Sequence, residues 1–176
     1  MDVRERILEA ALSLLAEGGA HELTQPRVAK AAGVRQGHLT YYFPKRADLL
    51  QEVARHSVGK LAGQLAHAHV HKPNQLAQAL AAGSADKRRS RVLLGLVAAA
   101  DRDPKIKRRL RKFIAELRAM MTPALAAGGL DTDADDVAFF HSVVVGCAVL
   151  QLARDNDEAH REAQRVLKKA VACIAR

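Results

Sequence analysis

The segment from residue 24 to residue 50, TQPRVAKAAGVRQGHLTYYFPKRADLL, concentrates the side chains whose types and spacing could do recognition chemistry. A helical wheel with Leu39 as the buried reference places Arg35, Tyr42 and Phe43 on its side. The remaining surface carries hydrogen-bonding groups and one bare backbone position: Gln36, Gly37, His38, Thr40 and Tyr41. Glutamine can pair bidentately with adenine, and histidine or threonine can reach base edges or phosphate. This face therefore has the chemistry of a surface that contacts nucleobases.

The elements that must position this face are short helices. Thr24 can cap a helix whose first turn accommodates Pro26, and that helix buries Val28, Ala29 and Ala32 before ending at Gly33. A second short helix is expected from Arg35 to Phe43, after an Ala-Gly-Val turn that allows a sharp chain reversal. Two helices joined in this way predict a helix-turn-helix, in which the second helix enters the DNA major groove.

Helical periodicity continues through the rest of the chain. The first helix follows i, i+3, i+4 spacing up to Gly18-Gly19, and a long fourth helix begins near Arg46 after Pro44. Further helices are expected at roughly 74–82, 86–102, 104–126, 133–154 and 156–175. No run of β-branched residues predicts a sheet, so the expected fold class is all-α with about nine helices.

The last two helices predict a subunit interface. Helix 133–154 is apolar on almost all faces, and the final helix has one apolar stripe. A chain of 176 residues cannot easily cover both apolar surfaces alone. Two such helices from each of two protomers would form a four-helix interface. The residues expected at this homodimer interface are Cys147, Leu150, Val166, Leu167, Ala170 and Ile174.

Residues 3–50 resemble the N-terminal DNA-binding domain of the TetR/AcrR family of transcriptional regulators. The resemblance rests on the Gly pair after the first helix, Thr24, the VAKAAGV segment, the short helix ending in Tyr-Tyr-Phe, Pro44, and Leu49-Leu50. It implies a helix-turn-helix DNA-binding domain at 1–46 and a helical effector-binding and dimerisation domain at 47–176.

The resemblance also implies roles for individual residues. Gln36, Gly37 and His38 occupy base-reading positions, and the Thr24 hydroxyl contacts phosphate. The full set expected to contact DNA is Thr24, Arg27, Arg35, Gln36, Gly37, His38, Thr40, Tyr41, Tyr42, Lys45 and Arg46. The chain departs from the family pattern at Thr40, where tyrosine is common, and at Pro26, which replaces a polar or basic residue.

The charge distribution favours an anionic partner. The chain has 28 Lys and Arg against 19 Asp and Glu, for a net charge of +9, yet residues 1–50 contribute only +1. The segment 87–112 holds 11 basic residues and two acidic ones. This basic block is a solvated helical face, a second contact to flanking DNA phosphates, or a mouth that recruits an anionic effector such as a carboxylate.

Several other classes of function find little support. The chain has no P-loop, G-x-S-x-G or H-E-x-x-H motif, so no enzyme is predicted. His67, His69 and His71 could share a metal, but helix ends favour histidine and no third ligand of fixed spacing follows, so no metal or other cofactor is expected. The acidic run 131–136 lacks the glycine and glutamate of a calcium loop and suits a helix N-terminus.

Two cysteines, Cys147 and Cys173, suit a reducing cytoplasm and are expected to be small core residues. The amphipathic, charged N-terminus does not have the pattern of a signal peptide, and the most apolar stretch is shorter than a membrane span. A cytoplasmic location without membrane attachment is therefore expected.

The combined expectation is a homodimeric, ligand-responsive transcriptional regulator, most simply a repressor of a palindromic double-stranded operator. A small apolar or amphiphilic effector would bind a mainly aliphatic pocket within residues 75–150. Its expected lining is Phe113, Met120, Met121, Phe139, Phe140 and Val143. The alternative is a helical small-molecule binding or adaptor protein whose helix-turn-helix is vestigial.

Overall fold

A computed structural model describes residues 2–67 and 73–175, with side chains for residues 2–60 and 75–175. Within these residues the chain forms nine α-helices and one 3-10 turn, Ala20–Glu22, which confirms the predicted all-α fold. The helices are α1 (Val3–Gly18), α2 (Gln25–Ala32), α3 (Gln36–Tyr42), α4 (Arg46–His67), α5 (Pro73–Ser84), α6 (Lys87–Arg102), α7 (Pro104–Ala127), α8 (Ala134–Arg154) and α9 (Asp157–Cys173).

The chain packs into two compact units. Unit 1 comprises residues 1–60 and 91–113, and unit 2 comprises residues 61–90 and 114–176. Helices α4, α6 and α7 therefore contribute residues to both units. The domain boundary expected after residue 46 stays a prediction, because packing units and functional domains need not share a boundary.

A capping carboxylate begins α1, and the predicted glycines end α1 and α2. The Asp2 carboxylate accepts a hydrogen bond from the Glu5 amide at 2.7 Å, and α1 stops before Gly19, which has φ of 84°. Helix α2 ends at Gly33 in the left-handed conformation, with φ of 63°. Glycine adopts this conformation without a steric penalty, so the turn between α2 and α3 depends on it.

An arginine that the sequence pattern does not single out closes this turn. Arg6 on α1 donates from Nη2 to the carbonyl oxygens of Ala32 at 2.8 Å and Gly33 at 2.9 Å. These carbonyls lie at the C-terminus of α2, where backbone acceptors lack partners within the helix. Arg6 therefore joins α1 to the helix-turn-helix by satisfying the end of α2.

The core of unit 1 joins α1, α2, α3 and α4 to the adjoining parts of α6 and α7. Its most deeply buried side chains include Ile7, Leu15, Val28, Leu39 and Leu50. Beside this core, Glu9 on α1 contacts both His56 and Lys60 on α4. Partial burial raises the pKa of Glu9, but the hydrogen bonds from His56 and Lys60 outweigh it and hold that pKa below its ordinary value. Glu9 is therefore ionised at neutral pH and links α1 to α4.

The core of unit 2 is formed by α5, α8, α9 and the C-terminal part of α7. A polar network crosses it. The Gln151 side chain donates to Ser84 Oγ at 2.6 Å and lies 3.1 Å from His160 Nδ1. Because Gln151 is only 9% exposed, these partners satisfy groups that would otherwise be costly to bury.

Three expectations about unit 2 are resolved by the structure. Helix α8 is not buried all round: only Val137, Phe140, Cys147 and Gln151 are buried. Cys147 is a core residue as expected, and burial raises the pKa of its thiol, but Cys173 is exposed because it lies off the buried stripe of α9. The Asp133 carboxylate caps α8 by accepting from the amides of residues 135 and 136, which confirms a helix N-terminus rather than a calcium loop.

Replacing Gly33 with alanine should destabilise unit 1 by about 1–2 kcal/mol, because an L-residue is strained at this positive φ. A Cβ at Gly33 would also lie 2.9 Å from Arg6 Nη2 and disturb its contacts with α2. Hydrogen exchange of the α2 amides and urea unfolding would measure the loss. Gly59→Ala is the matched control, since a Cβ there meets nothing within 4 Å and should stabilise α4. An equal response of the two variants would contradict the role given to Gly33.

Candidate nucleic-acid interface

Helix α3 is attached to unit 1 by two apolar side chains. Leu39 is 0% exposed and Phe43, at the C-terminal cap, is 2% exposed. Tyr41 points away from the core at 81% exposure, and its ring meets the Tyr42 ring edge-on with centroids 5.3 Å apart. Arg35 and Tyr42 were expected on the buried side with Leu39, but both are exposed because a helix of seven residues buries only a narrow stripe.

The outward face of α3 has the polar character that the sequence predicts. Gln36, His38 and Thr40 are exposed, and Thr40 Oγ1 donates to the Gln36 carbonyl oxygen at 3.0 Å. That bond uses the hydroxyl proton, so Thr40 faces outward with acceptor lone pairs. A Cβ added at Gly37 would meet nothing within 4 Å, so nothing within the described structure requires glycine there.

Four more of the residues expected to contact DNA lie on the same unit as α3. Arg46, at the start of α4, donates from Nη2 to the Ala20 carbonyl oxygen at 2.5 Å, which holds its guanidinium beside the 3-10 turn. Thr24 occupies the N-cap position of α2, but its side chain makes no capping hydrogen bond, which corrects that expectation. Lys45 is exposed, and Arg27 pairs with Glu22 at 2.5 Å, which offsets the charge of Arg27.

The structure brings the eleven expected DNA-contacting residues together on unit 1. All eleven are exposed, while contact with DNA itself stays a prediction. The low net charge of residues 1–50 is not the net charge of unit 1, because this unit includes a second segment of the chain. Residues 91–113 belong to unit 1 and carry eight basic and two acidic side chains, so they add +6 to it. The positive charge that an anionic partner requires is supplied mainly by α6 and α7.

The basic block from 87 to 112 is only partly neutralised. Lys87 pairs with Asp155 at 2.7 Å, Lys107 with Asp101 at 3.7 Å, and Arg109 contacts Asp48 and the Gln51 side chain. Among the described residues, the side chains of five other members make no hydrogen bond or ion pair. These five are Arg91, Arg102, Lys105, Arg108 and Arg111.

The residues expected to line an effector pocket are not brought to one place. Phe113 is 5% exposed and belongs to the core of unit 1, whereas Phe140, at 1%, belongs to that of unit 2. Met120 is 56% exposed and Phe139 is 44% exposed, because each lies on the outer side of its helix. Met121 and Val143 pack at the edge of the unit 2 core. Contact of these six residues with an effector stays a prediction.

A polar pair that the sequence pattern does not reveal joins α7 to α8. Arg118 on α7 donates from Nε to His141 Nδ1 on α8 at 3.3 Å. Burial, and then the charge of Arg118, lowers the pKa of His141 below its ordinary value. The imidazole is therefore neutral at pH 7, and its Nδ1 is an acceptor. The two residues are 23 positions apart in sequence, so no local pattern links them.

The expected dimer-interface residues divide into two groups. Cys147, Leu167, Ala170 and Ile174 lie in the core of their own subunit, so the expectation that they face a partner is corrected. Leu150 is 53% exposed and Val166 is 40% exposed. Together with Phe139 they leave large apolar side chains of α8 and α9 in solvent.

Two further expectations concern metals and membranes. His69 and His71 lie outside the described residues, as does the side chain of His67, and the described part of the chain holds no cluster of three or more potential metal ligands. Helix α8 is long and apolar enough to cross a membrane by length and composition, with 22% of its most apolar window buried. A second subunit would cover the same apolar surface.

Comparisons with known proteins agree with this architecture. Residues 7–53 match the family model of bacterial regulatory proteins of the tetR family, and residues 71–172 match the tetracyclin repressor-like C-terminal domain. The chain is 30% identical over 87 residues to the HTH-type transcriptional regulator BetI of Serratia proteamaculans (strain 568). That match covers 47% of this chain and 44% of the relative, so it spans under half of the relative's length.

Solved structures match over nearly the whole chain. A member of the TetR family from Streptomyces coelicolor A3 is 26% identical, has a TM-score of 0.76, and is covered over 98% of its length by 97% of this chain. A TetR transcription regulator from Haloarcula marismortui ATCC 43049 shares the fold, with a TM-score of 0.76 at 19% identity and 99% coverage of both chains.

The fold and the polar face of α3 define a helix-turn-helix protein with a helical C-terminal domain. The two family models together account for most of the chain. The chain belongs to the TetR family of transcriptional regulators.

Proposed function

We propose that this protein is a ligand-responsive transcriptional repressor that binds a palindromic operator as a homodimer. The observation that carries the proposal is the outward polar face of α3, held in place by the burial of Leu39 and Phe43. A recognition helix places its N-terminal residues nearest the base edges. In α3 those residues are Gln36, Gly37 and His38.

The residues of α3 have distinct proposed roles. Gln36 can donate to and accept from adenine, and His38 can donate to or accept from a base edge according to its tautomer. Thr40 offers its oxygen as an acceptor, since its proton bonds to the Gln36 carbonyl. The exposed Tyr41 ring would pack against DNA and be removed from water, and its hydroxyl would donate to a phosphate.

The absence of a side chain at Gly37 supports contact between α3 and DNA. Glycine in a helix costs about 0.5–1 kcal/mol relative to alanine, and no neighbouring atom in the described structure needs the space. Close approach of DNA to the backbone of α3 would explain why glycine, and not a larger residue, occupies this position.

Phosphate contacts are assigned to residues around α3. Lys45 and Arg46 lie at the start of α4, where the helix dipole also favours an anion, and Thr24 has a hydroxyl not used for capping. Arg46 keeps further N–H donors available after its bond to Ala20. These contacts would fix the register of α3 on the duplex without reading sequence.

Homodimerisation is proposed through α8 and α9. Phe139, Leu150 and Val166 expose large apolar side chains on these helices, and a symmetric partner would cover them. Two copies would place two recognition helices about one DNA turn apart, ~34 Å, on a palindromic site.

The effector is proposed to bind in unit 2, beside Met121, Phe140 and Val143. These side chains suit an apolar or amphiphilic molecule, and the neutral Nδ1 of His141 with Arg118 would orient its polar end. Release of DNA requires that the effector favour one conformation of the dimer by several kcal/mol, about 5.5 for a complete switch. Helix α4 belongs to both units and would transmit that preference.

Operator selection from random DNA fragments tests the function directly. Enrichment of an inverted repeat is the expected result. An absence of any enriched sequence would instead favour a helical small-molecule binding protein with a vestigial helix-turn-helix.

His38→Ala should change the base preference at one position of each half-site, because His38 lies on the face that reads bases. Arg46→Ala should weaken all sequences alike and reduce the salt dependence of binding by about one unit of slope. Binding measured across a library of single-base operator variants at several salt concentrations would separate the two. Uniform weakening by His38→Ala would contradict its proposed role.

Gly37→Ala should weaken operator binding about tenfold or more, the equivalent of about 1.4 kcal/mol, since a methyl group would enter the space between α3 and DNA. The fold should be no less stable, because a Cβ there meets nothing within 4 Å. Fluorescence anisotropy with labelled operator measures the affinity. Gly59→Ala, an equally open helical glycine away from α3, is the control and should bind normally. Unchanged affinity of the Gly37 variant would contradict a close approach.

Leu150→Glu or Val166→Glu should weaken dimerisation about 30-fold or more, since a buried charge at an interface costs at least about 2 kcal/mol. Sedimentation equilibrium would measure the monomer–dimer constant. Ala172→Glu, at an exposed position of α9 away from Val166, is the matched control and should leave it unchanged. A dimer that survives both Leu150→Glu and Val166→Glu must use another surface.

A further inference from the structure

Unit 1 contains a groove of about 1080 Å³ that the recognition surface does not explain. One wall is α6, with Arg91, Leu94 and Ala98, and the opposite side is formed by the end of α1 and the starts of α2 and α4. Sites for small organic molecules commonly measure about 300–1,000 Å³, so the groove is large enough for one.

The groove is mainly apolar inside. Leu15, Leu39 and Leu49 form its floor, where they belong to the core of unit 1. On the α6 wall, Leu94 is 41% exposed, which leaves a large aliphatic side chain facing the groove. Concave apolar surface of this kind favours a ligand with a hydrocarbon body over a bare ion or a hydrated polymer.

Three arginines line the groove: Arg46, Arg91 and Arg102. Arg91 and Arg102 have no hydrogen-bond or ion-pair partner among the described residues. Two acidic side chains, Glu17 and Asp103, also line it, but the Asp103 carboxylate accepts from the amides of Lys105 and Ile106 at the start of α7. Three arginines against two carboxylates give the groove a net positive charge, and guanidinium groups pair well with carboxylate and phosphate.

We propose that this groove is a second ligand site, separate from the effector site in unit 2, for a small organic anion with an apolar body. The hydrocarbon part would lie against Leu94 and Ala98, and the anionic end would pair with Arg91 or with Arg102, which lie on either side of these two residues along α6. Thr24 and Arg46 line the same groove and are the proposed phosphate contacts. If the proposed DNA-binding function holds, a ligand bound in the groove would obstruct the phosphate contacts of Thr24 and Arg46.

Isothermal titration of the full chain with decanoate tests the site without reference to DNA. Decanoate should bind in the groove, whereas decyltrimethylammonium, of equal chain length and opposite charge, should bind at least tenfold more weakly. The double variant Arg91→Glu, Arg102→Glu should weaken decanoate binding at least tenfold, and Ala98→Trp should do the same by filling the groove.

The matched control is the double variant Arg108→Glu, Arg111→Glu. It makes the same change in net charge, and both arginines are exposed on α7, outside the groove lining and without partners among the described residues. Decanoate affinity should be unchanged in this control. The proposal is overturned if wild type binds no decanoate, if the control loses as much affinity as the groove variant, or if Ala98→Trp binds normally.

Operator binding separates the ligand site from two other questions: whether Arg91 and Arg102 contact DNA, and whether the protein binds DNA at all. Without decanoate, the groove variant and the control should bind a selected operator equally. A specific loss in the groove variant, with a smaller salt dependence, would make Arg91 and Arg102 DNA contacts and overturn the ligand site. With decanoate, operator affinity should fall at least fivefold in wild type and not in the groove variant. Decanoate binding by a chain that selects no operator would retain the site and reject the proposed function.

Discussion

The burial of Leu39 and Phe43 is the constraint on which the recognition surface depends. A helix of seven residues is not stable in isolation, since too few hydrogen bonds repay the cost of starting it. These two side chains attach α3 to the core of unit 1, and the remaining positions are left to face outward. Arg6 also stabilises the helix-turn-helix, because it donates hydrogen bonds to the carbonyl oxygens at the C-terminal end of α2. The polar face can therefore vary in sequence without loss of the fold, because none of its residues contributes to the core.

Charge and shape are supplied by different parts of the chain within unit 1. The helix-turn-helix provides the surface proposed to contact DNA but little net charge, and residues 91–113 of α6 and α7 provide most of the positive charge of unit 1. An electrostatic field of this kind accelerates encounter with an anion and is screened by salt. The same segment forms a wall of the groove, so one set of arginines can serve both attraction of DNA at long range and binding of a small anion at short range.

Unit 2 has a hydrogen-bonded polar network inside its core and large apolar side chains exposed on its surface. Gln151, Ser84 and His160 pair their polar groups inside it, whereas Leu150 and Val166 remain in solvent. The exposed apolar side chains lie on the two C-terminal helices, as a symmetric pair of subunits would require. Dimerisation and effector binding would then depend on neighbouring faces of α8, and this proximity gives a physical route for coupling between them.

The sequence by itself determined the helices and the exposed face of α3. Periodicity, Gly19, Gly33 and Pro44 predicted the helices of the described residues and nearly all of their ends, because these signals act over a few residues. The contacts of Arg6 with α2 and of Arg118 with His141 were decided only by tertiary structure, since their partners are 26 and 23 positions away. Tertiary packing likewise placed Phe113 in one core and Phe140 in the other, and buried Leu167 while leaving Val166 exposed. An apolar stripe shows that a helix has a face to bury, but only the positions of its neighbours determine whether its own chain or a partner covers each residue.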